Sequence, residues 1–127
     1  MTRDILLKYL GQPWTEEHDC YYWFCEIQRR EFGRKLPPLA GNHRVLNAAR
    51  LMRDEPGILG WSQTAQPKEG DAAFLAQKSR PHHIGVVVFI GGKHRILHAL
   101  EGSGVILSDA TDLRINGWII NGYWTHD

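Results

Sequence analysis

Cysteine is scarce in this chain. Cys20 and Cys25 are the whole inventory, and they form neither a CxxC nor half of a structural zinc site. Five residues apart on one helix they point to different faces, so a disulfide between them would require the helix to break. The pattern points to a reducing compartment and to two thiols with separate jobs. Net charge is nearly absent too: 15 Lys and Arg against 14 Asp and Glu leave +1. With no Lys/Arg run interleaved with aromatics, nucleic acid is excluded as a partner. No apolar run approaches the roughly 20 residues of a membrane span. The opening MTRDILLKYL is polar within four residues and then alternates like a short amphipathic helix, which is not a secretory signal. Synthesis in the cytoplasm without a signal peptide is therefore expected, with something else carrying the chain if it acts outside. No internal repeat, low-complexity segment or linker divides its 127 residues, a length suited to one core, so residues 1–127 are expected to form a single domain.

What is present is a soluble-domain composition, 43% hydrophobic and 23% charged, with five Trp and four Tyr, a surplus that suits a groove as well as a core. Thr2 can cap a helix carrying Ile5, Leu6, Tyr9 and Leu10 and ended by Gly11. A loop with Pro13 and Trp14 follows. Asp19 is a favoured N-cap for a second helix that starts at Cys20 and stops at Gly33, with Arg29 and Arg30 suiting its C-terminal end. Pro37 and Pro38 impose an extended connection over 34–42. Val45, Leu46, Ala49 and Met52 recur at helical spacing from about His43 to Asp54, closed by Pro56 and Gly57. Residues 58–70 read as loop, with Trp61 the only large apolar anchor.

After Asp71 the texture becomes β. Short strands are predicted over Ala72 to Ala76, His83 to Ile90, Arg95 to Leu100, Val105 to Leu107 and Trp118 to Trp124, the last two around a polar loop from Ser108 to Asp112. Gly91 and Gly92 signal a hairpin. Helices first and strands second imply an α+β domain, its N-terminal helices packed on one face of a C-terminal antiparallel sheet of about five strands.

Chemistry enters at that hairpin. Alternation puts His83, Gly85 and Val87 on one face. A two-residue turn at Gly91-Gly92 sets His98 opposite Gly85 and diagonal to His83, within reach of two imidazoles; a four-residue turn keeps that parity and a three-residue turn does not. Gly85 leaves room beside His83. A thiol in the first turn of a helix feels the positive end of the macrodipole, which favours thiolate and lowers its pKa. If the Cys20 helix brings its N-terminus to the His83 face, a nucleophile, a base and an orienting group come together. The helix N-terminus would then offer backbone N–H groups, that of Cys20 included, to an oxyanion. The plainer alternatives are a Cys20 that is merely a small buried residue, like Cys25, and strand histidines bonded to backbone carbonyls. A metal site from Cys20, His83 and His98 lacks any carboxylate placed to support it, and no metal or other cofactor is expected. His82 points to the opposite face, His94 falls beside the turn, His18 adjoins the Asp19 cap, and His43 and His126 have no evident partner.

These residues resemble the NlpC family of papain-like cell-wall cysteine peptidases, particularly its short phage-tail members. Asp19-Cys20 opening an aromatic-rich helix resembles the nucleophile motif. Pro67-Lys68-Glu69-Gly70-Asp71 followed by Ala72, Ala73, Phe74 and Leu75 is similar to the Gly-Asp segment that leads into a family strand. Pro81-His82-His83-Ile84-Gly85-Val86 resembles the histidine-apolar-glycine motif, and Ile96-Leu97-His98-Ala99 the segment of the third polar residue. Gly102-Ser103-Gly104-Val105 and Gly117 to Trp124 are similar to the final strands. Gly11-Gln12-Pro13-Trp14 resembles the loop before the nucleophile, with Trp14 where many members carry Tyr.

The resemblance implies a rearranged papain core and hydrolysis of peptidoglycan stem peptides by Cys20 as nucleophile, His83 as base and His98 as orienter. Trp14, His18, Asp19 and His82 are then expected around the substrate. It further implies a virion or tail-particle component docked on other tail proteins and acting in the periplasm or cell wall. A non-catalytic tail-tip subunit of the same fold, and a cytoplasmic amidase or acyl transferase using the same trio, are the competing readings.

Overall fold

Side-chain caps open three of the four helices among the described residues. In α1 (Arg3–Tyr9) the Thr2 hydroxyl accepts from the Ile5 N–H at 3.3 Å. In α2 (Cys20–Phe32) an Asp19 carboxylate oxygen accepts from the Tyr22 N–H at 3.0 Å, and Gly33 closes the helix in the left-handed conformation at φ 66°. Helix α3 (Arg44–Asp54) starts from His43 without a side-chain cap. In α4 (Ala110–Ile115) Asp109 and Asp112 each accept the other's backbone N–H, a reciprocal capping box. Each such cap contributes about 1 kcal/mol. The computed structural model describes residues 1–36, 39, 43–55, 60–77 and 81–127, so the Pro37-Pro38 connection and the Pro56-Gly57 closure lie outside the described residues.

Among the described residues, six strands make one antiparallel sheet: β1 (Trp61–Thr64), β2 (Ala72–Ala76), β3 (His83–Ile90), β4 (Lys93–Leu100), β5 (Gly104–Ser108) and β6 (Ile119–His126), in the spatial order β1-β6-β2-β3-β4-β5. The domain is thus α+β, as its element order predicts. Strand β1 falls where a loop was expected, because Trp61 is buried and Ser62 and Gln63 are exposed beside β6, a pattern too short to register as alternation. The segment expected as a polar loop, Ser108 to Asp112, ends β5 and begins α4 instead. Its Asp and Thr residues are a capping signature that composition alone reads as loop.

The two faces of the sheet bury different clusters. On one, Phe74, Ile84, Val86, Val88, Leu97 and Ala99 pack against Phe24 and Ile27 of α2, Leu6 and Tyr9 of α1, and Val45, Ala48 and Met52 of α3. On the other, Ala73, Leu75, Val87 and Ile96 pack against Leu113 of α4 and Trp118. Full burial of each such large side chain favours folding by roughly 1.5–3 kcal/mol, so both faces hold the sheet. The N-terminal helices α1 to α3 thus share one face, as their order implies. α4 covers the reverse side, anchored by one leucine that the sequence pattern gave no reason to bury.

The β3–β4 hairpin turns through Gly91 and Gly92, at φ 58° and 77°, and pairs Ile90 with Lys93 through Val86 with Leu97. Continued by one step, that register sets His98 across from Gly85. The room expected beside Gly85 is already filled. A Cβ there would lie 2.4 Å from Ile96 Cγ2 and 3.0 Å from His98 Cβ, so glycine is what lets the neighbouring strand carry a histidine at this point.

Candidate active site

His83 begins β3 and His98 lies near the end of β4, both almost wholly buried. Their rings meet edge to face, with His83 Nε2 and His98 Nδ1 2.7 Å apart. His98 Nε2 in turn lies 2.8 Å from the Ser108 hydroxyl at the end of β5. Trp118 stacks on His83 at 4.6 Å between centroids and closes the apolar side of the pair. With Nε2 engaged, Nδ1 is the ring nitrogen that His83 has left for a further partner.

Burial decides the charge of this pair. It lowers the His83 pKa well below 6.5, aided by His98 and His82, and it lowers that of His98 to about 4. Both rings are neutral at pH 7. Each therefore carries one N–H and one bare nitrogen.

Cys20 approaches from the other face. The body of α2 packs on the cluster containing Ile84 and Val86, whereas His83 and His98 belong to the opposite surface of the sheet. The helix was expected to bring its N-terminus to the histidine face. It reaches the strand end instead, where the backbone of Ile84, the residue after His83, acts on the Cys20 thiol. There residues of both faces line one cavity of about 880 Å³, among them Cys20, His83, Ala99, Leu100 and Trp118.

The thiol is not poised as the helix position suggested. Its pKa is raised to about 12, chiefly by burial and then by the Asp19 carboxylate, against smaller opposing effects of the Ile84 and Tyr21 backbone and of Arg44. The macrodipole is outweighed first by burial, and then by Asp19, which caps the helix and puts a negative charge beside the sulfur. Cys25 packs against the core as expected, its thiol also pushed up, to about 11.

Trp14, Asp19 and His82 are among the residues lining the cavity. The loop bearing Trp14 runs alongside β5: Gly11 N–H donates to the Val105 carbonyl at 3.0 Å and Val105 N–H to the Gln12 carbonyl at 2.9 Å. Gly104 permits this, since a Cβ there would sit 2.4 Å from the Gln12 oxygen and the backbone is at φ 74°. Asp19 uses its second oxygen to pair with Arg44 at the start of α3. His82 is exposed, rests against Trp118 and accepts the Gln77 N–H at 3.3 Å. His18 does not line the cavity; it stacks on Tyr22 with centroids 3.9 Å apart.

Sequence reasoning missed Arg44, His43, Glu16, Glu101 and Ser108. The first four reach the cavity only through tertiary packing. Ser108 carried one legible signal, since it lies on β5 across from Ile96 and so shares the face of His98. Among the described residues, no group of three or more His, Cys, Asp or Glu side chains is arranged to hold a metal ion, and no helix is long and apolar enough to cross a membrane. Comparison with family models gives no match, and none of the curated proteins compared matches the chain significantly.

Proposed function

We propose that this chain is a cysteine peptidase of the NlpC type that hydrolyses amide bonds in peptidoglycan stem peptides, as a component of a phage or phage-like tail. The observation that carries the reading is that Cys20 and His83 line one cavity, with His98 bonded to His83 behind it. The motif resemblance supplies the choice of substrate. The cavity lining agrees with that choice: Glu16, Asp19 and Glu101 with Arg44 offer both signs of charge, beside the imidazoles of His43 and His82, to a short peptide rich in carboxylates and amines. Its volume lies within the range of sites for molecules of that size.

In this mechanism the Cys20 sulfur attacks the scissile carbonyl carbon as its proton passes to the bare Nδ1 of His83. Because thiol and imidazole are both neutral at rest, transfer accompanies attack rather than preceding it. Backbone N–H groups at the α2 terminus face the developing oxyanion. Collapse breaks the C–N bond, the amine leaves with the proton from His83, and a water deprotonated by the same ring then hydrolyses the thioester. His98 holds the His83 ring throughout.

A second reading, a non-catalytic tail-tip subunit with the same fold, draws on the raised Cys20 pKa and on the bulk of Tyr21, Tyr22, Trp23 and Phe24 directly after it. The deciding experiment is mass spectrometry of fragments released from purified cell wall by wild type and by Cys20→Ala. Stem-peptide fragments from wild type alone support the peptidase. No fragments from either, or equal release by both, reject it.

A further inference from the structure

We infer that Ser108 is a positioning residue whose hydroxyl, by accepting the Nε2 proton of His98, sets the tautomers of both buried histidines. Its meaning for catalysis rests on the peptidase reading; its geometry does not.

Neutral imidazole has one donor and one acceptor nitrogen, and here the nitrogens are committed in series. His98 spends Nδ1 on His83 and Nε2 on Ser108, at 2.7 and 2.8 Å. Only two proton arrangements satisfy both bonds. If Ser108 accepts, His98 carries Nε2–H and presents a bare Nδ1, which receives Nε2–H of His83 and leaves His83 Nδ1 bare. If Ser108 donates, every bond reverses and His83 carries Nδ1–H, unable to accept a proton from a thiol. The hydroxyl ends the series and can accept or donate, so its role is tied to the tautomers of both rings.

Two considerations select the accepting arrangement. Neutral histidine side chains intrinsically favour Nε2–H, and only this arrangement gives that form to both rings. It is also the only one that makes His83 a base. Without the hydroxyl, a buried Nε2–H on His98 would have no acceptor, a cost that pushes the ring toward the other tautomer.

Ser108 is held for this role from both sides. Ile96 and Ser108 are cross-strand partners, which aligns Ser108 with the face of His98. The next residue, Asp109, is fixed by its capping box with Asp112, and Leu113 anchors α4 in the core below. A loop in place of α4 would leave the hydroxyl free to turn away.

The test is nitrogen-15 NMR of the histidine rings in the whole chain at pH 7, without substrate. Nε2–H on both His83 and His98 is expected; Nδ1–H on either overturns the inference. Ser108→Ala should move both rings toward Nδ1–H. If wall cleavage is present, it should also lower kcat by roughly 10- to 100-fold with KM little changed, part of the roughly 10²–10⁴ a positioned base supplies. Ser108→Thr, which keeps the hydroxyl, should restore spectra and kcat. Unchanged tautomers in Ser108→Ala reject the proposal, and should that variant not fold, the wild-type and threonine spectra still decide. Tautomers that behave as expected in a protein that cuts no wall uphold the role of Ser108 and reject the peptidase.

Discussion

His83 and His98 stand across one hairpin with ring nitrogens 2.7 Å apart and ring planes at 73°, almost wholly buried, with Trp118 stacked on His83. Two imidazoles this close and this buried cannot both be charged, so the pair is stable only where it is neutral. That makes it sensitive to acid, and its geometry dependent on everything that sets the distance between β3 and β4.

Acid should therefore destabilise the fold before the carboxylates titrate. The folded pKa of His98, about 4, lies below the ordinary 6.5, so between these values the unfolded chain binds the proton first. The stabilisation is complete above about pH 6.5, shrinks as pH falls, and is lost by about pH 4. For His98 alone it amounts to about 3 kcal/mol, and His83, lowered for the same reason, adds in the same direction. Urea midpoints at pH 7, 5.5 and 4 measure this, and His98→Gln should flatten the profile. Equal stability at pH 7 and pH 4 would refute it.

Alkylation should be slow. With the Cys20 thiol raised to about 12 and that of Cys25 to about 11, iodoacetamide at pH 7 should label neither quickly in the native protein, and Cys20 no faster than Cys25. Asp19→Asn removes a charge that holds the Cys20 thiol up and should speed its labelling. Rapid labelling of Cys20 in the wild type would mean that a thiolate is already formed.

Gly85→Ala should strike the site and the fold together. The added methyl meets Ile96 and His98 Cβ, and overpacking of this kind costs about 1–3 kcal/mol. A lowered melting temperature is expected together with a disturbed His83–His98 pair, read as shifted imidazole nitrogen resonances. A variant as stable as wild type with unshifted resonances would show that the strands separate at no cost.

Asp19 joins two duties that substitution can part. Asp19→Ala loses the cap on Tyr22 and the half-buried pair with Arg44, and should cost about 1–2 kcal/mol, most of it from the cap because pairs still open to water contribute little. Asp19→Asn keeps a capping oxygen and should cost less than half as much by chemical denaturation. Equal losses would assign the stabilisation to the ion pair.

Much of this was legible along the chain because it depends on near neighbours. Asp19 and Gly33 bracket α2 through local bonds, and the diglycine turn sets the β3–β4 register, so that alternation alone brings His83 and His98 to one face. β1 and α4 were not legible, since a four-residue strand exists only by pairing with β6 and a six-residue helix only by seating Leu113.

The sequence by itself determined where α1 and α2 begin and which strand residues share a side, since these follow from a capping bond three residues long and a period of two. Tertiary structure alone decided that Cys20 and His83 line one cavity at a strand end. It also decided that Arg44 pairs with Asp19, and that burial outweighs the helix dipole at the sulfur. The reason is physical: dehydration and long-range contact depend on how distant segments close over a group, and no local spacing encodes that.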